Sequence, residues 1–180
     1  MASGATVYNF EIDLADSDRS LYETLSLRVA RHPSESEEYL VTRILAYALE
    51  FTEGIAFSTG GLSDPDDPAI TVRDLTGALR VWIEIGSPDA ARLHKAQKAS
   101  PRVVVYTHKD ADRLAGRLSG EKIHRAADLE LYAIEPSLIA ALVERLDRRV
   151  TFALSVSERD LFVSIGTETL EGKVTRRPIA

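Results

Sequence analysis

The sequence predicts an α/β (α+β) fold: a central mixed β-sheet flanked by helices, with an extra β-hairpin at each end. Alternating apolar and polar residues mark strands near both ends of the chain, and helical and strand periodicities alternate between them. Residues 34–108 run in the order helix, strand, strand, strand, helix, strand. With 180 residues, 44% of them hydrophobic, the chain can bury a proper core as one domain spanning 1–180. No internal repeat or linker divides it.

The first element is a strand from Thr6 to Leu14, in which Tyr8, Phe10, Ile12 and Leu14 share a side. The turn cluster Ala15–Asp18 and a second strand from Leu21 to Val29 complete a hairpin. Ser34, followed by Glu37, fits a capping box, so a helix is expected to start there. Its apolar face is Leu40, Val41, Ile44, Leu45, Ala48 and Leu49, and Gly54 ends the run. A short strand, Ile55 to Thr59, leads through Gly60-Gly61 into the turn-rich loop Leu62–Pro68.

Next comes a hairpin of Ala69 to Val72 and Leu79 to Ile85, turning around Asp74–Gly77. Its second strand sets Arg80, Trp82 and Glu84 on one side against Leu79, Val81, Ile83 and Ile85 on the other. Ser87 as N-cap and Pro88 at the first helical position then open a helix running to about Ala99. Val103–Tyr106 is a buried-type strand. Beyond it the expected elements are a helix from Asp110 to Leu118, a strand from Leu129 to Ile134 and a helix from Ser137 to Leu146. A last hairpin pairs Val150–Val156 with Leu161–Ile165. Both outer hairpins are expected to extend the sheet, and the tail from Glu171 to be poorly ordered.

Composition removes several chemistries. There is no cysteine, hence no disulfide, thiolate nucleophile or cysteine-bound zinc. His32, His94, His108 and His124 lie far apart and form no H-x-x-x-H pair. Phosphate-binding loops, dinucleotide fingerprints and nucleophile elbows are absent. The net charge of −6 argues against a protein held on polyanions by bulk charge. No apolar run approaches the roughly 20 residues that span a bilayer, and Met1–Thr6 lacks the features of a signal peptide. A cytoplasmic address, with no membrane partner, is the expectation.

Carboxylates remain. Asp67 precedes the first strand of the central hairpin and Glu84 lies near the end of the second, so antiparallel pairing can bring both to one end of the sheet. Two such groups suffice for a hard cation such as Mg²⁺ (or Mn²⁺), which takes one or two protein carboxylates and completes its shell with water and phosphate. Asp67 could equally belong to a solvated acidic loop, and Glu84 could be a sheet-face charge beside Arg80. Glu38 heads the line of Val41, Leu45 and Leu49, which points it at the sheet and toward a role in the site. Glu35, on the same helix face, could instead serve the helix dipole. Arg92, Lys95 and Lys98 follow Glu84; Lys95 is the candidate catalytic cation and the other two accessory, unless all three form a solvated basic face.

The segments Arg31-His32-Pro33-Ser34-Glu35, Trp82-Ile83-Glu84-Ile85-Gly86-Ser87-Pro88-Asp89 and Arg92-Leu93-His94-Lys95-Ala96 together resemble the YaeQ family of bacterial proteins, in order and over nearly the whole chain. That resemblance implies the PD-(D/E)XK nuclease fold, a restriction-endonuclease-like αβββαβ core. It puts Asp67 at the aspartate position and Glu84 at the first acid of the E-x-K signature. Gly86 replaces the usual lysine, and Lys95 is the matching candidate on the next helix. Glu38, or Glu35 beside it, corresponds to the helix glutamate that assists metal binding. The implied activity is Mg²⁺-dependent phosphodiester hydrolysis with nucleic acid as candidate partner. The alternative is a non-catalytic nucleic-acid- or protein-binding regulatory protein on a degenerate nuclease fold. The sequence sets no oligomeric state.

Overall fold

A computed structural model describes residues 4–58 and 67–179. Strands β1 (Thr6–Asp16) and β2 (Leu21–Arg31) form the first hairpin, followed by helix α1 (Glu37–Leu49). Strands β3 (Ile55–Phe57), β4 (Ile70–Arg73) and β5 (Leu79–Ile85), helix α2 (Ala90–Ala99) and strand β6 (Arg102–Thr107) come next. Then follow α3 (Ala111–Leu118), β7 (Glu130–Ile134), α4 (Pro136–Glu144), β8 (Arg149–Ser157), β9 (Asp160–Ile165) and β10 (Glu168–Arg176). The order α1-β3-β4-β5-α2-β6 is the one expected. Most of the loop Leu62–Pro68, with Thr59 and Gly60-Gly61, lies outside the described residues.

Among the described residues the strands form one mixed sheet of ten, ordered β2-β1-β8-β9-β10-β7-β6-β5-β4-β3. Both outer hairpins extend it as expected, because β1 pairs in parallel with β8 from Asn9↔Arg149 to Asp16↔Val156. The two hairpins are also pinned at their turns, where the Asp18 carboxylate accepts the backbone N–H groups of Glu158 and Arg159 at 2.7 and 3.0 Å.

The sheet is not a flat layer with helices outside it. Apolar residues from β1, β2, β4 to β10, α1 and α4 belong to one core, so the sheet curls, nearly closed, around these two helices. Phe10, Ile12, Leu14, Phe152 and Leu154 face inward by strict alternation, and Leu40, Ile44 and Leu45 meet them from α1. Each such side chain contributes on the order of 1.5–3 kcal/mol on burial. Among the described residues, β5, β6 and β7 are the strands covered outside as well. There Trp82, Val103, Val105 and Leu131 pack under Leu93 of α2 and Leu114 and Leu118 of α3. Coverage on both faces explains the unbroken apolar run Val103–Tyr106.

Three local expectations are corrected. Ser36, not Ser34, caps α1 by accepting the Tyr39 N–H at 3.0 Å, while Ser34 Oγ is held 2.6 Å from His32 Nδ1. Asp89, not Ser87, caps α2 through the Arg92 N–H at 2.8 Å, so Pro88 precedes the cap. The segment from Glu168 is a strand rather than a loose tail: β10 pairs with β9 over Glu168–Lys173 and with β7 over Val174–Arg176. Gly172 hides this strand from an apolar-pattern reading. It is glycine because a Cβ there would stand 2.6 Å from Leu138 Cβ. No described helix is long and apolar enough to cross a membrane.

Candidate functional site

The start of α1, the end of β5, the start of α2 and the residues flanking the β3–β4 connection enclose a polar cavity of about 190 Å³. Glu35, Asp67 and Glu84 supply its acids, Arg43 and Arg92 its bases, and Tyr39 a phenol.

Glu84 occupies the predicted face of β5, beside Trp82, and is buried. A carboxylate in such a place requires partners. Its Oε1 accepts from Trp82 Nε1 at 2.7 Å and from Arg92 Nε at 2.9 Å. The Arg92 guanidinium also lies 5.8 Å from the Trp82 ring centroid and donates Nη2 to the Asp67 backbone oxygen at 2.9 Å. Burial pulls Arg92 down from its usual pKa, but the hydrogen bond and charge of Glu84 outweigh it, so the guanidinium is held higher still. Asp67 completes this wall, its Oδ2 accepting the Ser58 hydroxyl at 2.5 Å.

The opposite wall is a second buried pair. Glu35 Oε2 lies 3.1 Å from Arg43 Nη2, with side-chain exposures of 1% and 4%. The contact is an ion pair without hydrogen-bond alignment, since Oε2 has no such bond, while Oε1 accepts from the His32 N–H at 3.4 Å. Arg43 Nη2 also donates to the Ala30 oxygen at 3.1 Å, and its guanidinium stands 5.6 Å from the Phe57 ring centroid. Tyr39, one turn before Arg43, lies between the walls. Burial pushes its phenol well above its usual pKa, Arg43 partly opposing and Glu84 reinforcing, so Tyr39 stays protonated as a donor.

Of the residues expected from sequence, Asp67, Glu84, Glu35 and Arg92 line this cavity. Glu38 does not: it is exposed in the first turn of α1, where a carboxylate favours the helix dipole without burial. Lys95 and Lys98 are exposed on α2, whose buried face is Leu93, Ala96 and Gln97. Arg92, expected only as an accessory, is the basic residue of α2 that lines the cavity. Gly86 stands where the expected E-x-K signature would carry its lysine. Its φ of +92° is a left-handed conformation that strains any side chain, and its N–H is fixed to the Tyr106 oxygen at 2.9 Å.

Sequence reasoning missed Tyr39, Arg43 and Ser58. Arg43 carried a readable signal, a charge inside an apolar helical run that had to find a partner; Ser58 carried none.

Among the described residues, no three Asp, Glu or His side chains are grouped as a metal cluster. Asp67 and Glu84 both line the cavity, and two is the number of protein carboxylates that a Mg²⁺ ion commonly takes.

The model of the YaeQ protein family matches residues 1–174. The uncharacterized protein YaeQ of Salmonella typhi is 30% identical over 176 residues, covering 97% of each chain, and so is that of Escherichia coli K12. Crystal structures tell the same story. The YaeQ protein from Pseudomonas syringae superposes with a TM-score of 0.85 at 31% identity, covering 96% of this chain and 95% of that one. The YaeQ protein from Xanthomonas axonopodis pv. citri gives 0.83 at 28% identity, covering 96% and 98%. The chain belongs to the YaeQ family.

Proposed function

We propose that this protein is a Mg²⁺-dependent (or Mn²⁺-dependent) phosphodiester hydrolase on a PD-(D/E)XK-like core, with nucleic acid as its substrate. The observation that carries this reading is that Asp67, just before β4, and Glu84, near the end of β5, lie at the same open end of the β4–β5 hairpin and face one polar cavity, with Arg92 bonded to both residues. The order α1-β3-β4-β5-α2-β6, with β5 parallel to β6, supports the core assignment.

Asp67 and Glu84 would hold the ion, which when bound would polarise the phosphodiester and lower the pKa of a water molecule. Arg92 takes the charge-balancing task expected of Lys95, since it is fixed at the acidic wall by Glu84 and Trp82. Tyr39 donates to a phosphate oxygen, because its phenol keeps its proton.

One observation favours a second reading, a non-catalytic binding protein: Glu84 and Glu35 already have arginine partners in the resting site. Calorimetric titration of Mg²⁺ and Mn²⁺, with and without oligonucleotide, separates the two when combined with plasmid and RNA cleavage. Metal binding and cleavage that both vanish in Glu84→Ala support the hydrolase. Wild type that binds no metal even with oligonucleotide present, and cleaves nothing, supports the second reading.

A further inference from the structure

We infer that the exposed basic edge formed by Lys109, Arg113 and Arg117 is a docking track for a nucleic-acid phosphate backbone, leading to the Asp67–Glu84 cavity. It names the substrate class of that cavity and in this respect rests on the proposed function; the binding itself does not depend on catalysis. Three observations carry it.

The first is charge asymmetry. Residues 87–125 hold nine Lys and Arg against four Asp and Glu, a net charge of +5 within a chain of net −6. Arg92 and Arg102 of this segment are paired with Glu84, Glu50 and Glu130. Lys98, Lys109, Arg113, Arg117 and Lys122 are exposed. An acidic protein that collects its cations on one segment presents a local attractive field to a polyanion.

The second is shape. Lys109, Arg113 and Arg117 recur every four residues and line a single open cavity of about 550 Å³ with Ser87, Asp110 and Leu114. Arg113 and Arg117 share a face of α3. The acids nearby offset them only in part, since Lys109, Arg113 and Arg117 face the single acid Asp110 in the cavity lining. Asp110 caps α3, accepting the Arg113 N–H at 3.0 Å, and Asp112 pairs with Arg177 at 3.3 Å.

The third is continuity. Arg117 Nη2 donates to the backbone oxygens of Ser87 and Pro88 at 3.4 and 3.0 Å, which fixes α3 against the turn after β5. Glu84 and Ile85, the last two residues of β5 before that turn, line the acidic cavity. A polymer seated on α3 is therefore delivered to Glu84; a small phosphodiester needs no such track.

The test is fluorescence anisotropy of a short duplex DNA and a short RNA, titrated with wild type and Lys109→Ala/Arg113→Ala between about 50 and 200 mM salt. Arg117 is left intact because it also ties α3 to the turn. Wild type should bind both, and the double variant should show a log–log salt slope shallower by about 1.8 on duplex DNA, two phosphate contacts at roughly 0.9 each. An unchanged slope, no wild-type binding at low salt, or equal binding of poly-glutamate overturns the inference. Docking without cleavage counts against the hydrolase alone, and cleavage of a small phosphodiester without docking counts against the track alone.

Discussion

The buried Glu35–Arg43 pair sets a quantitative test of how the cavity is held. Arg43→Met removes the cation and fills its space with an apolar chain, leaving Glu35 buried without its ionic partner. Breaking a buried pair from one side costs about 3–5 kcal/mol, because the remaining charge is uncompensated. For a domain of this length each kcal/mol moves the midpoint by about 2–4 °C, so Tm should fall by about 6–20 °C. The double variant Glu35→Gln/Arg43→Met removes both charges and should regain most of the loss. Recovery stays incomplete by about 1 kcal/mol, since the Ala30 oxygen loses its guanidinium donor. Urea unfolding followed by the emission of Trp82, the single tryptophan, measures all three proteins. A single variant within 1 kcal/mol of wild type, or a double variant no more stable than the single, would refute the argument.

Three further outcomes follow from the same geometry. Gly54→Ala, at φ +88° with its Cβ 1.9 Å from the Arg73 oxygen, should lose more than about 2 kcal/mol in urea unfolding. Burial pushes the Glu130 carboxyl up, but hydrogen bonds from Arg102 and Tyr132 outweigh it and hold the carboxyl below its usual range. A depressed folded pKa contributes stability that is present at neutral pH and lost as pH falls below about 4.3. Arg102→Met should therefore flatten the acid limb of a stability–pH curve; an unchanged limb counts against the pairing. Tyr39→Phe should lower hydrolysis by the same factor at neutral and at alkaline pH, because the phenol does not titrate there. A loss confined to one pH range would make Tyr39 a titrating group instead.

Period and local turn chemistry made much of the fold legible. The strand Leu79–Ile85 matches its predicted bounds, and its alternation correctly put Glu84 beside Trp82 on the outer face. The element order of residues 34–108 was equally plain. Capping was less so, since Ser34 and Ser36 offer the same hydroxyl and only the structure shows which one meets a helix N–H. That two-residue displacement matters on a helix of 3.6 residues per turn. The first-turn acid Glu38 is exposed, and Glu35, just outside the helix, is the buried one. The Arg92–Glu84 bond was unreadable for another reason: it depends on the left-handed turn at Gly86, which swings α2 back over β5. The curl of the sheet was hidden too, because inward alternation looks the same in a flat sheet and in a nearly closed one.

The position of β10 carries a consequence for how the chain acquires this shape. It is the last of the ten described strands to be synthesised, yet it is the seam between β9 on one side and β7 on the other. Until it emerges, the β2-β1-β8-β9 ribbon and the β7-β6-β5-β4-β3 ribbon are separate, each with an unpaired border at the future join. Vectorial synthesis can therefore build both halves but cannot close them. The final zippering awaits the C-terminal segment, and a nascent chain stalled before Glu168 exposes two complementary borders open to pairing with other chains.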